Sequence, residues 1–326
     1  MSKHKPRQAP PRHLPIDPAA RPGLLELDRF SEADIDRWSR LSKDLDELQA
    51  VLYSGVEPQR QRYHADLIEA LRTVPGQPMD FTGWVRMVTW RYADSPLSAL
   101  GSLMNYGGRF NIGTDVDNAI HRPWPALYIA ADQETAYREK FGMEKGEGID
   151  GLTSDEFALT NGSSYAVVRV DGHLDLVFDL TREGSLDAVC RVLSKIKLPP
   201  VARTLQKRLK IPGPPVSMIR TPERLLREVL IVNWRALPAQ FGIPSVSQIL
   251  AGLIMDAGYE AIRFPSTKGD GDCVAVFPHC LASNSSFVAL ADGAPAGVRH
   301  VRLDLGSADQ LSGWEALPSY LRPGRM

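Results

Sequence analysis

Cysteine, charge of one sign and long apolar runs are all scarce in this chain, and each scarcity excludes a class of protein. The cysteines are Cys190, Cys273 and Cys280, too few and too scattered for a disulfide framework. Cys273, His279 and Cys280 are close in sequence, but a fourth ligand at zinc spacing is missing and Cys273 opens the apolar run Cys273-Val-Ala-Val-Phe277. No metal is expected, and the thiols read as buried or inert groups in a reducing compartment. The 38 Lys and Arg residues offset 39 Asp and Glu residues, for a net charge of −1. The whole chain thus has no field to draw it to nucleic acid or an anionic membrane. No apolar stretch approaches the roughly 20 residues that cross a bilayer. The opening Met-Ser-Lys-His-Lys-Pro-Arg leads into no apolar signal core. A cytoplasmic location is expected, with neither membrane nor nucleic acid as partner.

What is present is ordinary globular composition, 43% hydrophobic and 24% charged over 326 residues, enough for at least one full core. Residues 1–22 hold six prolines and five Lys or Arg against the single acid Asp17, which reads as a disordered basic tail. Residues 23–80 read as a helical hairpin. Ser31 caps a first helix whose apolar stripe is Ile35, Trp38, Leu41, Leu45, Leu48 and Val51. A second helix over 59–73 aligns Tyr63, Leu67 and Leu71, with Gly55 and Pro58 separating the two.

From 81 to 290 short strands alternate with helices. Strands are expected at Trp84–Trp90, Ala126–Ala130, Glu260–Phe264 and Val274–Phe277. Asp132 caps a helix through Glu139, and Ser245 starts another that Gly258 ends. Asp171-Gly172, between two alternating runs, predicts a hairpin of Tyr165–Val170 with His173–Phe178. The pattern is α+β rather than a βαβ repeat, with 291–326 as a C-terminal extension.

Two motifs carry little. Gly146-Glu-Gly-Ile-Asp-Gly151 matches a dinucleotide fingerprint by letter only, since no strand precedes it and Glu144, Glu147 and Asp150 would repel a pyrophosphate. The stretch Ala188–Pro222 has eight Lys or Arg and no acid, and reads as a solvated helix face.

Four other segments stand out in order. They are Trp90-Arg-Tyr92, Tyr106-Gly-Gly-Arg-Phe-Asn111, Tyr128 followed by Glu139 eleven residues later, and Ile262-Arg-Phe-Pro-Ser266 after Gly258-Tyr-Glu-Ala-Ile262. This constellation resembles the RES family, named for its Arg, Glu and Ser and known as the toxin half of Xre–RES toxin–antitoxin pairs. The resemblance covers about 200 residues; the stretch between Arg109 and Tyr128 is longer than the family's usual one. It implies an α+β domain distantly related to the ADP-ribosyltransferase fold, here with a helical N-terminal extension, and NAD as the substrate.

The residue types suit that chemistry. Arginine offers a planar fork to phosphate oxygens, so Arg91 and Arg109 are the expected anchors. Gly107 and Gly108 let backbone approach a ligand, beside Asn111. Glu139 is the candidate catalytic carboxylate, placed to stabilise an oxocarbenium-like ribose as the nicotinamide bond breaks. Tyr128 or Tyr92 would stack on a ring of NAD, and Ser266 would bond its amide or a phosphate without acting as a nucleophile.

The expected activity is NAD cleavage with water or phosphate as acceptor. Transfer of ADP-ribose to a protein is the alternative enzyme, and a silent module binding a nucleotide or partner is the alternative from another class. The resemblance also implies a neutralising partner, an Xre-like antitoxin or an immunity protein, and leaves delivery into a neighbouring cell's cytoplasm open.

Overall fold

The computed structural model describes residues 32–116, 121–142, 165–209, 217–294 and 296–316. The basic tail, the Gly146–Gly151 motif and part of the basic stretch lie outside these residues. Two helices come first, α1 (Glu32–Arg62) and α2 (His64–Arg72), then β1 (Gln77–Thr89), β2 (Gly107–Gly108), β3 (Asn111–Ile112) and β4 (Leu127–Ala130). Helix α3 (Gln133–Phe141) and the long β5 (Tyr165–Asp179) follow. A helical stretch comprises α4 (Asp187–Leu193), α5 (Pro200–Leu209), α6 (Pro222–Val229), α7 (Ala236–Phe241) and α8 (Val246–Asp256). The chain then adds β6 (Ala261–Pro265), β7 (Asp272–Val276), β8 (Phe287–Leu290), β9 (Arg302–Asp304) and α9 (Ala308–Ser312).

The main sheet runs β1-β4-β7-β6-β5-β8-β9, and β1 also pairs with β5, closing the first five into a ring. Only the β5–β6 pair is parallel among these pairings. Helices set against a largely antiparallel sheet make this an α+β fold. Strand alternation splits the core. Leu127, Ile129, Val274 and Val276 face one cluster, closed by Leu281, Ala308 and Leu311. Ala126, Ala130, Cys273, Ala275 and Phe277 face the other, against Leu67 and Leu71 of α2, Val189 of α4, Leu225 of α6 and Leu250 and Ile254 of α8. The sheet uses residues on both sides of 81–290, since β1 begins at Gln77 and β9 lies at Arg302–Asp304.

Three expectations need correction. Tyr165–Asp179 is one unbroken strand rather than a hairpin. Gly172 lies opposite Phe81, where a Cβ would collide with the Phe81 ring and the Phe287 carbonyl; this glycine serves close approach, not a turn. The break between the first helices falls at Tyr63, because α1 continues through Gly55 and Pro58. A Cβ on Gly55 would strike Pro199, and Gln59 bonds the Lys197 backbone through Nε2 to its carbonyl (2.8 Å) and Oε1 from its N–H (3.0 Å). The glycine admits the chain leading to α5. Finally, the α1 stripe is only partly covered. Leu48 is buried with Ala202 and Leu205 of α5, whereas Leu41 is exposed. The basic stretch finds its acids within the chain, with Arg208 reaching Asp44 of α1 at 3.1 Å.

Candidate active site

The Gly-Gly-Arg-Phe-Asn segment forms the β2–β3 turn, with Gly107 opposite Ile112 and Gly108 opposite Asn111. Gly107 has φ +84°, a left-handed conformation that favours glycine. Gly108 is required for another reason. A Cβ there would sit 2.5 Å from the Tyr128 hydroxyl and 2.7 Å from Asn111 Oδ1.

Asn111 is fully buried. Its Oδ1 accepts from the Gly108 N–H and the Tyr128 hydroxyl (both 2.9 Å), and Nδ2 donates to the carbonyls of Ser102 (2.6 Å) and Trp124 (3.1 Å). With this hydrogen-bonding capacity used internally, Asn111 shapes the turn and holds Tyr128; a direct substrate contact is not what this geometry provides. The Tyr128 hydroxyl also accepts from the Phe110 N–H at 2.9 Å, and burial pushes its pKa above the ordinary range. That tyrosine is locked by its hydroxyl, with its ring beside the cleft.

Gln248 was not singled out from sequence. It is the third residue of α8, in a capping box with Ser245. Its Nε2 also reaches the carbonyls of Tyr106 (2.8 Å), Gly108 (3.1 Å) and Asn111 (2.9 Å). One buried amide thereby ties the helix to the glycine turn.

Glu139 lies on α3, whose cap is Asp132 accepting from the Thr135 N–H at 2.8 Å. Its Oε1 accepts from the Ser266 hydroxyl (2.7 Å) and the Thr267 N–H (3.1 Å). Ser266 Oγ in turn accepts from the N–H groups of Lys268 (3.0 Å) and Gly269 (2.9 Å). The serine hydroxyl is therefore engaged with Glu139 and its own loop, and stands behind the carboxylate. That hydroxyl donates to Glu139, where the sequence led us to expect a bond to a substrate amide or phosphate. Among the described residues no hydrogen bond occupies Glu139 Oε2, and Glu139 lines the cleft.

That cleft has a volume of about 460 Å³ and is bordered by Tyr92, Gly108, Arg109, Tyr128 and Glu139. Among the described residues four basic ones line it, Arg86, Arg109, Lys140 and Arg235, against Glu139 as the one acid. Arg109 is buried, donating through Nη1 to the carbonyls of Val229 (3.1 Å) and Ile231 (2.8 Å) and through Nη2 to Thr267 Oγ1 (3.0 Å). Burial lowers its pKa and nearby Glu139 counters that. Arg109 thus braces the loop that carries Ser266, leaving less of its fork for phosphate than the sequence suggested. The side chain of Arg91 lies outside the described residues; its backbone belongs to the short 3-10 turn Trp90–Tyr92.

Arg86, Trp234 and Arg235 were also missed from sequence. Arg86 donates to the carbonyls of Pro96 (2.6 Å), Tyr128 (3.0 Å) and Ser98 (2.8 Å), and burial lowers its pKa to about 10. A lone charge inside Trp84-Val-Arg-Met-Val-Thr-Trp90 was the available signal. Trp234 and Arg235 sit in no recognised motif.

A family model described as the RES domain matches residues 84–295, about two-thirds of the chain and all of the cleft lining. This chain belongs to the RES-domain family. The crystal structure of the M. tuberculosis MbcT–MbcA toxin–antitoxin complex contains a chain similar to this RES protein at 14% identity and TM-score 0.39, covering 76% of this chain and 97% of that one. No curated protein matches. Among the described residues of the RES protein, no group of three or more His, Cys, Asp or Glu could hold a metal. No described helix is long and apolar enough to cross a membrane.

Proposed function

We propose that this chain is a RES-type toxin that binds NAD in the cleft and cleaves its nicotinamide–ribose bond. The observation that carries the reading is Glu139, oriented by Ser266 and the Thr267 N–H, with Oε2 unbonded among the described residues and with Arg and Lys as the other charged groups among the described lining. NAD matches that polarity, with an anionic pyrophosphate and a ribose that turns cationic in the transition state. Breaking the C1′–N bond sends its electron pair to the nicotinamide nitrogen, which leaves neutral and needs no proton. No histidine is among the described residues lining the cleft, and this departure requires none. What it requires is a fixed negative charge near the oxocarbenium-like ribose. Water or inorganic phosphate then forms the new C1′–O bond and releases its proton to solvent.

A toxin that destroys NAD in the cytoplasm where it is made needs a neutralising partner, either an Xre-like antitoxin or an immunity protein. Trp90, beside Tyr92, and Ile231 and Val232, beside the carbonyls that hold Arg109, are exposed apolar groups suited to such a contact. The site of action is the cytoplasm of the producing cell or of a neighbour that receives the protein.

Mass spectrometry of purified protein with NAD tests this, run with and without phosphate. Free nicotinamide plus ADP-ribose, or its 1″-phosphate, is the expected outcome. ADP-ribose attached to an added cell protein would point to the transferase instead, and intact NAD would refute the proposal.

A further inference from the structure

We propose that Arg235, held on the face of Trp234, is the residue that grips the phosphates of the substrate. The inference rests on the NAD reading above and names a contact that the family motif does not contain. Among the described cations that line the cleft, the difference lies in which still have N–H groups to offer. Arg86 spends Nε, Nη1 and Nη2 on three backbone carbonyls. Arg109 is buried and committed to two carbonyls and Thr267. Lys140 donates to Thr89 Oγ1 at 3.2 Å, and an ammonium is a point charge, not a fork.

Arg235 is different. It is exposed, it borders the cleft, and among the described residues no hydrogen bond or ion pair occupies its guanidinium. Its guanidinium carbon lies over the Trp234 ring, 4.7 Å from the centroid. Trp234 is itself buried, with Tyr106 edge-on at 6.2 Å and the Arg109 guanidinium 6.0 Å from its centroid. One rigid indole therefore carries two guanidiniums, one buried near Glu139 and one exposed. A cation resting on a fixed aromatic face keeps its N–H edges for another acceptor, and the ordering that phosphate binding would otherwise demand is partly done beforehand. Planar, bidentate donation to phosphate oxygens is the chemistry such a fork supplies.

The test is calorimetric titration of ADP-ribose, which keeps the pyrophosphate and lacks nicotinamide, alongside NAD kinetics. Arg235→Ala should weaken ADP-ribose binding by about ten- to a hundredfold, the range for a charge-assisted hydrogen bond. KM for NAD should rise similarly, with a smaller effect on kcat. Arg235→Lys should recover part of the loss, and Arg191→Ala, an exposed arginine outside the cleft lining, should match wild type. Arg235→Ala binding within twofold of wild type would overturn the inference, as would wild-type protein that binds no ADP-ribose. Arg235-dependent binding of ADP-ribose without nicotinamide release from NAD would uphold it and defeat the hydrolytic reading alone.

Discussion

Replacing Ser266 with alanine removes the 2.7 Å hydroxyl contact to Glu139 and the acceptor for the Lys268 and Gly269 N–H groups. A hydrogen bond to a charged group contributes about 1.5–3 kcal/mol. The Thr267 N–H still holds Glu139 Oε1 at 3.1 Å, so the lower end applies. A loss of about 1.5 kcal/mol in the transition state is a little more than tenfold in kcat. Because Ser266 acts through the carboxylate, KM for NAD should change less than twofold. The two stranded N–H groups cost stability as well, about 1–3 kcal/mol if they stay dry, so thermal melts must accompany the kinetics. The decisive assay is a double-mutant cycle on nicotinamide release. In a Glu139→Gln background the Ser266→Ala change should lower kcat by no more than about twofold, since there is no carboxylate left to orient. Additive losses in the double mutant, or a KM that rises tenfold in the single mutant, would mean that the serine touches substrate directly.

Gly108→Ala pushes a methyl group against the Tyr128 hydroxyl and Asn111 Oδ1, both of which are bonded in place. Overpacking of that kind costs about 1–3 kcal/mol, so Tm should fall and turnover with it; a wild-type melt would show that the turn is looser than described. His173 gives a pH prediction. Its ring bonds Asp80 (2.7 Å) and Asp175 (2.9 Å), and these contacts raise its pKa above the ordinary value. A raised pKa stabilises the fold fully below the unfolded value of about 6.5 and loses that contribution as pH climbs through the folded value. The stability gap between wild type and His173→Gln, read by urea melts, should therefore be widest at acid pH and shrink on going alkaline. A gap that widens with pH would refute the ion-pair reading.

Much of the fold was legible because local chemistry and tertiary role agree. Asp132 and Ser245 cap α3 and α8 as their sequences require, and strict alternation sorted β4 and β7 between the two core clusters. Glycine misled where it serves packing. At Gly55 and Gly172 the missing side chain makes room for Pro199 and Phe81, information that resides in a neighbour distant in sequence. The site was legible to the same extent. Tyr92, Gly108, Arg109, Tyr128 and Glu139 do share one cleft. Sequence does not reveal which groups are already satisfied, and that separates Ser266 and Asn111, spent inside the protein, from Glu139 with an oxygen to spare. Gln248 and Arg235 were invisible because their partners are set by topology, with Gln248 reaching back to Tyr106, Gly108 and Asn111.

A negative charge at one position carries the proposed mechanism, and Glu139→Gln tests it most directly. The amide oxygen can still accept from Ser266 and Thr267, so the side chain keeps its place while the charge facing the cleft is lost. Nicotinamide release at saturating NAD should drop by about a hundred- to a thousandfold, as when a preorganised electrostatic contact is removed, with KM and Tm near wild type. A folded Glu139→Gln protein that keeps more than about a third of wild-type turnover would contradict the assignment of Glu139 and the mechanism built on it.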